Sequence, residues 1–481
     1  SFAASGGPAA PLLQVTQTSD RAIVNWQSFD VGSASTINFN QPNAQASTLN
    51  RVTGGGSASQ IFGKINAPGE VVLLNSSGVY IGKNASLDVG SIAATTHGIS
   101  DSDYMSGKAT YDRNGSTGSV VNDGSIRARF GGYVALLAPE VRNNGLIVAQ
   151  QGTVVMASGE KITLNFDPST HLASIAANPS QINSLIENKQ AVEAPGGLII
   201  MSAKVANNLI RGVINQAGSL STSDTVQLVA KGGRILLEGS HTTLASGSET
   251  LARGSAGGGS VEVVGSQEVN IQSGAKVSVS ATLAGNGGTI STHSLGKTTL
   301  NGTLLAQGGK SSGNGGFINT GSSLLEIGNS LSVIAGSRGD GSAGTWNIIA
   351  SNLGINPNNA KVISAALDRA NVNMKLVKNY CASYGGCDFS MTPGLIFDPG
   401  AVISKSSSVN TQLAFDSEGQ LIIAGTINSS ETAPLDLILK SSESVLVETS
   451  AKIGIRQAKI EAPTVSVWGD LASYGGEGQM P

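Results

Sequence analysis

Few side chains in this 481-residue sequence are of a kind that does covalent chemistry, and their spacing seldom favours it. The four histidines, His97, His171, His241 and His293, lie far apart. None forms the HxxxH or HExxH spacing that sets two imidazoles on one helix face around zinc. Acidic residues come close in three places. Asp101 and Asp103 flank Ser102 in ISDSDYMSG, which reads as a structural turn, and Asp112 with Arg113 reads as a solvated loop pair. Asp368 and Arg369 are neighbours, and neighbours along a strand face opposite ways. The stretch GKSSG at 309–313 satisfies G-x-S-x-G literally, but a nucleophile elbow needs a helix behind it and here only a glycine-rich turn follows. The surrounding GGKSSGNGG lacks the order G-x-x-x-x-G-K-[ST] that cradles a phosphate. These patterns predict no enzyme, no metal and no cofactor.

Two further groups carry chemistry of a different sort. Cys381 and Cys387 enclose five residues, ASYGG, and a pair so close can bridge. Two thiols with no histidine nearby cannot complete a tetrahedral zinc site, so a disulfide is expected over a metal site or free thiols. An otherwise cysteine-free chain with one such bridge reads as exported. Five N-x-[ST] sequons, at Asn75, Asn84, Asn114, Asn301 and Asn428, offer acceptors for N-linked sugar. In a chain rich in Asn, Ser and Thr, chance also supplies several.

The elements that must position these residues follow from composition and period. The chain has 63 glycines and only 4% aromatic residues, with 40% hydrophobic residues carried mainly by Ala, Val, Ile and Leu. Charge is low at 13% and the net charge is −3, which excludes both a disordered polyelectrolyte and a basic nucleic-acid binder. No apolar run reaches the roughly 18 residues of a membrane span, and SFAASGGPAAP at the start lacks the basic and apolar regions of a signal peptide. GGSVEVVG at 258, GGTISTHS at 287, GGFINTGS at 315 and AGTWNIIA at 343 recur at intervals of 29, 28 and 28 residues. Second strands lie between them, as in VNIQSGAKVSVSA at 269–281. Earlier, VVNDGSIRA, VRNNGLIVAQ and VINQAGSLST repeat an Asn, polar, Gly, apolar turn. Helical signal is confined to SQINSLIENKQAV at 180–192, with Ile182, Leu185 and Ile186 on one face, and to ISAALDRAN at 363–371, which also reads as strands.

A strand–turn unit that repeats with one small aliphatic inward row predicts an all-β, right-handed parallel β-helix with small extra-helical strands and loops, at about 20–25 residues per coil. A propeller would show repeats of about 40–50 residues with recurring aromatics, and neither occurs here.

The run RAIVNWQSFDVGSASTINFNQPNAQASTLNRVTGGGSASQIFGKINAPGEVVLLNSSGVYIGKNASLDVGSIAATT, 21–96, resembles the haemagglutination-activity or secretion domain of filamentous-haemagglutinin-like exoproteins, the passengers of two-partner secretion in Gram-negative bacteria. The likeness continues through 98–166. Beyond about residue 220 it passes into generic repeats similar to those of high-molecular-weight adhesins and EtpA-type exoprotein adhesins. The resemblance implies a secretion domain over 1–220 and continuing β-helical repeats over 221–481 that begin the adhesin passenger. The family's Asn-Pro-Asn-Gly turn corresponds here to Asn75, Ser76, Ser77 and Gly78, with the central pair changed to Ser-Ser. The family's Leu-Pro-x-Gly-Gly opening segment is not recognisable in residues 1–14.

What the resemblance implies is a secreted or surface-exposed adhesin fragment. An outer-membrane transporter of the TpsB type would recognise it through periplasmic POTRA domains, and its β-helix would grow outside. Its ligand would be a host or bacterial surface molecule, with no role for nucleic acid. A cytoplasmic glycosyltransferase would modify sequons such as Asn84, Asn114, Asn301 and Asn428. The period breaks over 355–400, so the loops there are a candidate binding surface. The same secretion domain also heads haem- or hemopexin-capturing exoproteins and contact-dependent toxin stalks, and some β-helices are carbohydrate-active enzymes. The closing segment LASYGGEGQMP carries no polar cap, which predicts that the chain is a fragment.

Overall fold

A computed structural model describes residues 1–7, 9–207, 209, 211–221, 232–380 and 394–474. It divides into two compact units, Ser1–Ser223 with Gly233–Thr242, and Asp224–Gly232 with Thr243–Pro481. Both are stacks of parallel coils, as the repeats require, and the chain is an all-β parallel β-helix.

In the first unit one face stacks Leu12–Thr16, Thr36–Asn40, Lys64–Asn66, Ser86–Val89, Ser125–Ala128 and Leu146–Ala149. The strand Phe2–Ser5 lies antiparallel on Leu12–Thr16 and covers an edge that would otherwise present unpaired backbone groups. A second face stacks Arg21–Trp26, Ser47–Val52, Glu70–Leu74, Ser91–Thr95, Tyr133–Leu137, Thr153–Ala157 and Leu198–Ala203. A third stacks Val79–Ile81, Ser119–Asn122, Glu140–Asn143, Ser184–Asn188 and Gly212–Gln216.

The second face is buried on both sides, which is why its strands read as continuous aliphatic runs such as VVLL and VALL rather than alternating ones. Its outer side is covered by three added elements. These are the helix Asp101–Met105, the strand Thr110–Asp112 and the hairpin of Lys161–Phe166 with Leu172–Asn178. Tyr104, Tyr111, Ile162, Leu164 and Leu172 pack there on Leu49, Val72, Leu74, Ala135, Leu137 and Val155. Each large aliphatic side chain so buried contributes roughly 1.5–3 kcal/mol. The outer layer is therefore a second core.

The helix expected over 180–192 does not form. The chain there makes the strands Ser184–Asn188 and Ala191–Glu193. Ile186 and Val192 point into the coil, whereas Leu185 faces outward. Pairing with the coils on either side outweighs a short helical spacing. Asp101–Asp103, expected in a turn, opens a short helix capped by Ser100, whose side chain accepts from the Asp103 backbone N–H.

In the second unit Ser260–Ile271, Thr289–Leu300, Phe317–Ile327 and Gly344–Asn352 stack with Ser260 facing Thr289, Thr289 facing Phe317 and Phe317 facing Thr345. Those offsets of 29, 28 and 28 residues are the sequence period, and they exceed the 20–25 residues expected per coil. The pieces read as two strands form one, bending at Gly265, where a Cβ would lie 2.0 Å from the Glu268 carbonyl oxygen. Gly288 and Gly316 at the coil corners are required for closeness, not for positive φ. A Cβ on Gly288 would lie 1.9 Å from the Gly259 oxygen, and one on Gly316 would lie 2.1 Å from the Gly288 oxygen.

Inward ladders run Val261, Ile290, Ile318, Trp346, Val372, Leu413 and Leu437. Trp346 is fully buried and donates its indole N–H to Thr320 Oγ1 at 3.1 Å, so its polar atom is satisfied. The residues NPNNA begin the helix Pro357–Leu367. Asn356 caps it by accepting from Asn358 and Asn359 backbone N–H groups at 2.9 and 3.0 Å, and Pro357 takes the first helical position. Asp368 ends that helix rather than lying in a strand.

Candidate secretion turn and its surroundings

The Asn75–Gly78 turn joins the strands Glu70–Leu74 and Val79–Ile81. It is closed by the Gly78 N–H donating to the Asn75 carbonyl at 2.9 Å. The Asn75 side chain is buried, with 3% of its surface exposed. Its Oδ1 accepts from the Ser77 N–H at 3.0 Å, and its Nδ2 donates to Ser57 O at 3.0 Å and Ser59 Oγ at 3.1 Å. Gly78 sits at φ +129°, with Ser119 O and Ala58 Cβ 3.0 and 3.1 Å from where its own Cβ would be. Neither Ser76 nor Ser77 has a positive φ, so the central pair needs neither glycine nor asparagine. Shape is held by the two outer residues.

Beside the turn, Ser116 Oγ donates to Ser76 O at 2.8 Å. On the third face the last residues of four successive strands form a buried amide ladder. Asn122 donates to Asn143 Oδ1 at 2.7 Å, Asn143 to Asn188 Oδ1 at 2.8 Å, and Asn188 to Gln216 Oε1 at 2.9 Å. All four are 0% exposed. The remaining N–H of Asn143 goes to Gly145 O, and that of Asn188 to Gln190 O, so the ladder closes the corner carbonyls. The repeated Asn-polar-Gly phrase is its trace in the sequence, although spacing alone does not reveal the ladder.

On the second face a cleft of about 550 Å³ is lined by Arg21, Glu70, Arg129, Phe130, Tyr133 and His171 among others. Tyr133 donates its hydroxyl to Glu70 Oε1. Arg21 lies over the Tyr104 ring at 5.3 Å and donates to the Tyr104 carbonyl at 3.1 Å. Burial, with the Glu70 charge adding to it, pushes the phenols of Tyr104, Tyr111 and Tyr133 above their ordinary value, so they remain neutral. Phe130 is 73% exposed at the rim. The cleft thus brings cations and aromatics together on an otherwise covered face.

His97, fully buried, ties the coil to the hairpin. Its Nε2 lies 2.8 Å from the Gly159 carbonyl oxygen, and a carbonyl can only accept, so that nitrogen carries the proton. Burial lowers its pKa. Arg113 and Glu160 pair beside it at 2.9 Å.

The other candidates disperse. Asp101 pairs with Arg51 at 2.7 Å and Asp103 with Lys108 at 3.1 Å. Asp368 accepts from the Ser406 and Ser407 backbone N–H groups, each at 2.9 Å, with the buried Lys405 ammonium 3.8 Å away. Ser311 Oγ donates to Leu283 O within a turn. Among the described residues, no three His, Cys, Asp or Glu side chains gather as a metal site would require. Of the sequons, Asn84, Asn114 and Asn428 are exposed, Asn301 is half-buried and Asn75 is buried. Cys381 and Cys387 lie outside the described residues.

Residues 4–237 match the TPS secretion domain family. Two heme/hemopexin-binding proteins of Haemophilus influenzae are similar. One is 31% identical over 207 residues, 41% of this chain and 22% of that protein. The other is 29% identical over 259 residues, 49% of this chain and 27% of that protein. The chain thus spans about a quarter of the length of the curated relatives it matches. The crystal structure of the HMW1 secretion domain from Haemophilus influenzae superposes with a TM-score of 0.55 at 22% identity, over 72% of this chain and 97% of that one. That likeness shows the fold.

Proposed function

Because the chain is a two-partner secretion exoprotein with a TPS secretion domain over residues 4–237, exported through the periplasm and outer membrane to the surface or medium, we propose that it is the N-terminal part of an adhesin. A TpsB-type transporter recognises its secretion domain, taken as 1–220, through POTRA domains. The repeats from 221 to 481 begin the binding passenger. The observation that carries this reading is the match of residues 4–237 to a secretion domain.

Coil stacking gives the mechanism. Each coil touches mainly the next, so folding propagates from a nucleus without waiting for distant contacts. The first unit is suited to be that nucleus because its second face already has a core on both sides. In this reading Asn75, Ser76, Ser77 and Gly78 are the secretion turn, presented with Asn75 and Gly78 fixed and Ser76 exposed. Cys381 and Cys387 form a small-loop disulfide compatible with passage through a barrel. Asn84, Asn114, Asn301 and Asn428 are acceptors for a glycosyltransferase. Peptide mapping of natively secreted protein should find hexose on these, and a wholly unmodified mass would remove that part. Secretion in a Gram-negative host with and without the transporter tests the main claim.

A second reading, capture of haem or hemopexin, is favoured by the names of the two relatives. Retention of hemopexin on the immobilised chain would support it over adhesion.

A further inference from the structure

The second unit carries a groove on the outer side of its long strands, lined by both amides and apolar side chains. Its volume is about 780 Å³. The floor is a second amide ladder, in which Asn347 donates to Asn319 Oδ1 at 2.9 Å, Asn373 to Asn347 Oδ1 at 3.1 Å and Gln412 to Asn373 Oδ1 at 3.3 Å.

This ladder differs from the buried one in what it leaves unspent. Asn143 and Asn188 use both N–H groups on protein acceptors. Asn347 and Asn373 each donate one bond to the preceding coil, which leaves each amide a second N–H and each amide oxygen a second lone pair. The result is a row of donor–acceptor pairs repeating at the coil spacing of about 4.8 Å. Such a spacing is close to the advance of one extended pyranose residue.

The rest of the groove fits the same ligand. Ile349, 39% exposed, gives an apolar step in the next outward column. Tyr380 forms a wall, seated over Gly321, where a Cβ would lie 2.0 Å from its hydroxyl oxygen. Lys375, Asp416 and Lys440 alternate in sign along the register, and Glu262 lies at the far end. Two charges of each sign give no net field to hold a polyanion.

We infer that this groove binds an uncharged linear oligosaccharide lying across successive coils, its hydroxyls paired with the amides of Asn319, Asn347 and Asn373. The inference rests on the adhesin reading and names its ligand class.

The test applies the full secreted chain to an array of neutral linear oligosaccharides, together with anionic glycans and extended peptides, and measures cell adhesion in parallel. Selective binding of neutral glycans is expected, weakened at least tenfold in N347A/N373A. Because that double variant could unfold, Ser291→Arg is measured beside it. Ser291 lines the groove beside Asn319, one coil before it, so its replacement fills the space while removing none of the ladder's amides, and the same loss is expected. Preference for anionic glycans or peptides, or full binding by Ser291→Arg, would overturn the inference. Cell adhesion without neutral-glycan binding would overturn it and leave the adhesin reading standing, whereas absence of both would remove both.

Discussion

Asn143 donates to Oδ1 of Asn188 at 2.8 Å although 45 residues separate them. The hairpin Lys161–Phe166 with Leu172–Asn178 lies between, yet the coil returns in register so that Glu140–Asn143 pairs with Ser184–Asn188. The insertion is carried outside the coil, and the amide stack marks where the coil resumes.

Asn143→Ala would leave the Asn122 amide without its acceptor and the Gly145 carbonyl without its donor, in a place closed to water. Unsatisfied buried groups cost about 1–3 kcal/mol each, so a loss of about 3 kcal/mol is expected in urea denaturation. Asn347→Ala, on the open ladder, should cost less than about 1 kcal/mol because water can replace the lost partner. Equal losses would contradict the distinction between the two ladders.

The turn makes an asymmetric prediction. Asn75→Ala removes a buried amide with three hydrogen bonds, and Gly78→Ala forces a Cβ into φ +129° against Ser119 O and Ala58. Each should lower stability by about 1–3 kcal/mol and reduce export. Ser76→Pro with Ser77→Asn should be neutral or stabilising by about 0.5 kcal/mol, since neither position needs positive φ and proline restricts the unfolded chain. Thermal melts and secreted yield together check this. A strong export defect in the Pro-Asn variant alone would contradict it.

His97 predicts an acid-sensitive first unit. Burial keeps its folded pKa below the ordinary 6.5. The unfolded chain therefore takes up a proton first, and stability falls as pH drops below about 6.5 towards the folded value. His97→Gln should flatten that limb in denaturation measured from pH 7 to pH 5. The comparison isolates His97 from His293, whose pKa burial also lowers. An unchanged slope would sink the assignment.

Lys405 has no exposed side-chain surface and has Asp368 as its counter-charge at 3.8 Å. Asp368→Ala would leave the ammonium without its counter-charge, held by Ser407 O and Oγ alone, and release the Ser406 and Ser407 N–H groups. A loss of roughly 3 kcal/mol is expected, the low end for breaking a buried pair, because Asp368 is partly exposed. Lys405→Met should cost less, since Asp368 keeps its backbone donors. A reversed order in chemical denaturation would contradict this.

Much of the fold was legible because successive coils between residues 260 and 345 have nearly equal length. Glycines 288, 316 and 344 must recur where one coil's corner touches the next carbonyl, and that recurrence is visible as a period. The outer layer was not legible, because the aliphatic runs at 71–74 and 134–138 show burial without showing what covers them. Ile182, Leu185 and Ile186 have helical spacing by coincidence, and only the neighbouring coils decide for a strand. NPNNA shows turn chemistry, yet Asn356 and Pro357 use it to start a helix. The Asn75–Gly78 turn was found through its resemblance, while the reason Ser-Ser suffices there required the backbone angles. Both amide ladders depend on register over 21 to 45 residues, which no local pattern encodes.

Dependence of export on the transporter tests the central claim most directly. The chain, carrying a periplasmic targeting signal, is expressed in a Gram-negative host with an intact two-partner secretion transporter, with one lacking its POTRA domains, and with none. Protein should reach the medium or cell surface only with the intact transporter. Equal export in all three, or retention in the periplasm in all three, would contradict it.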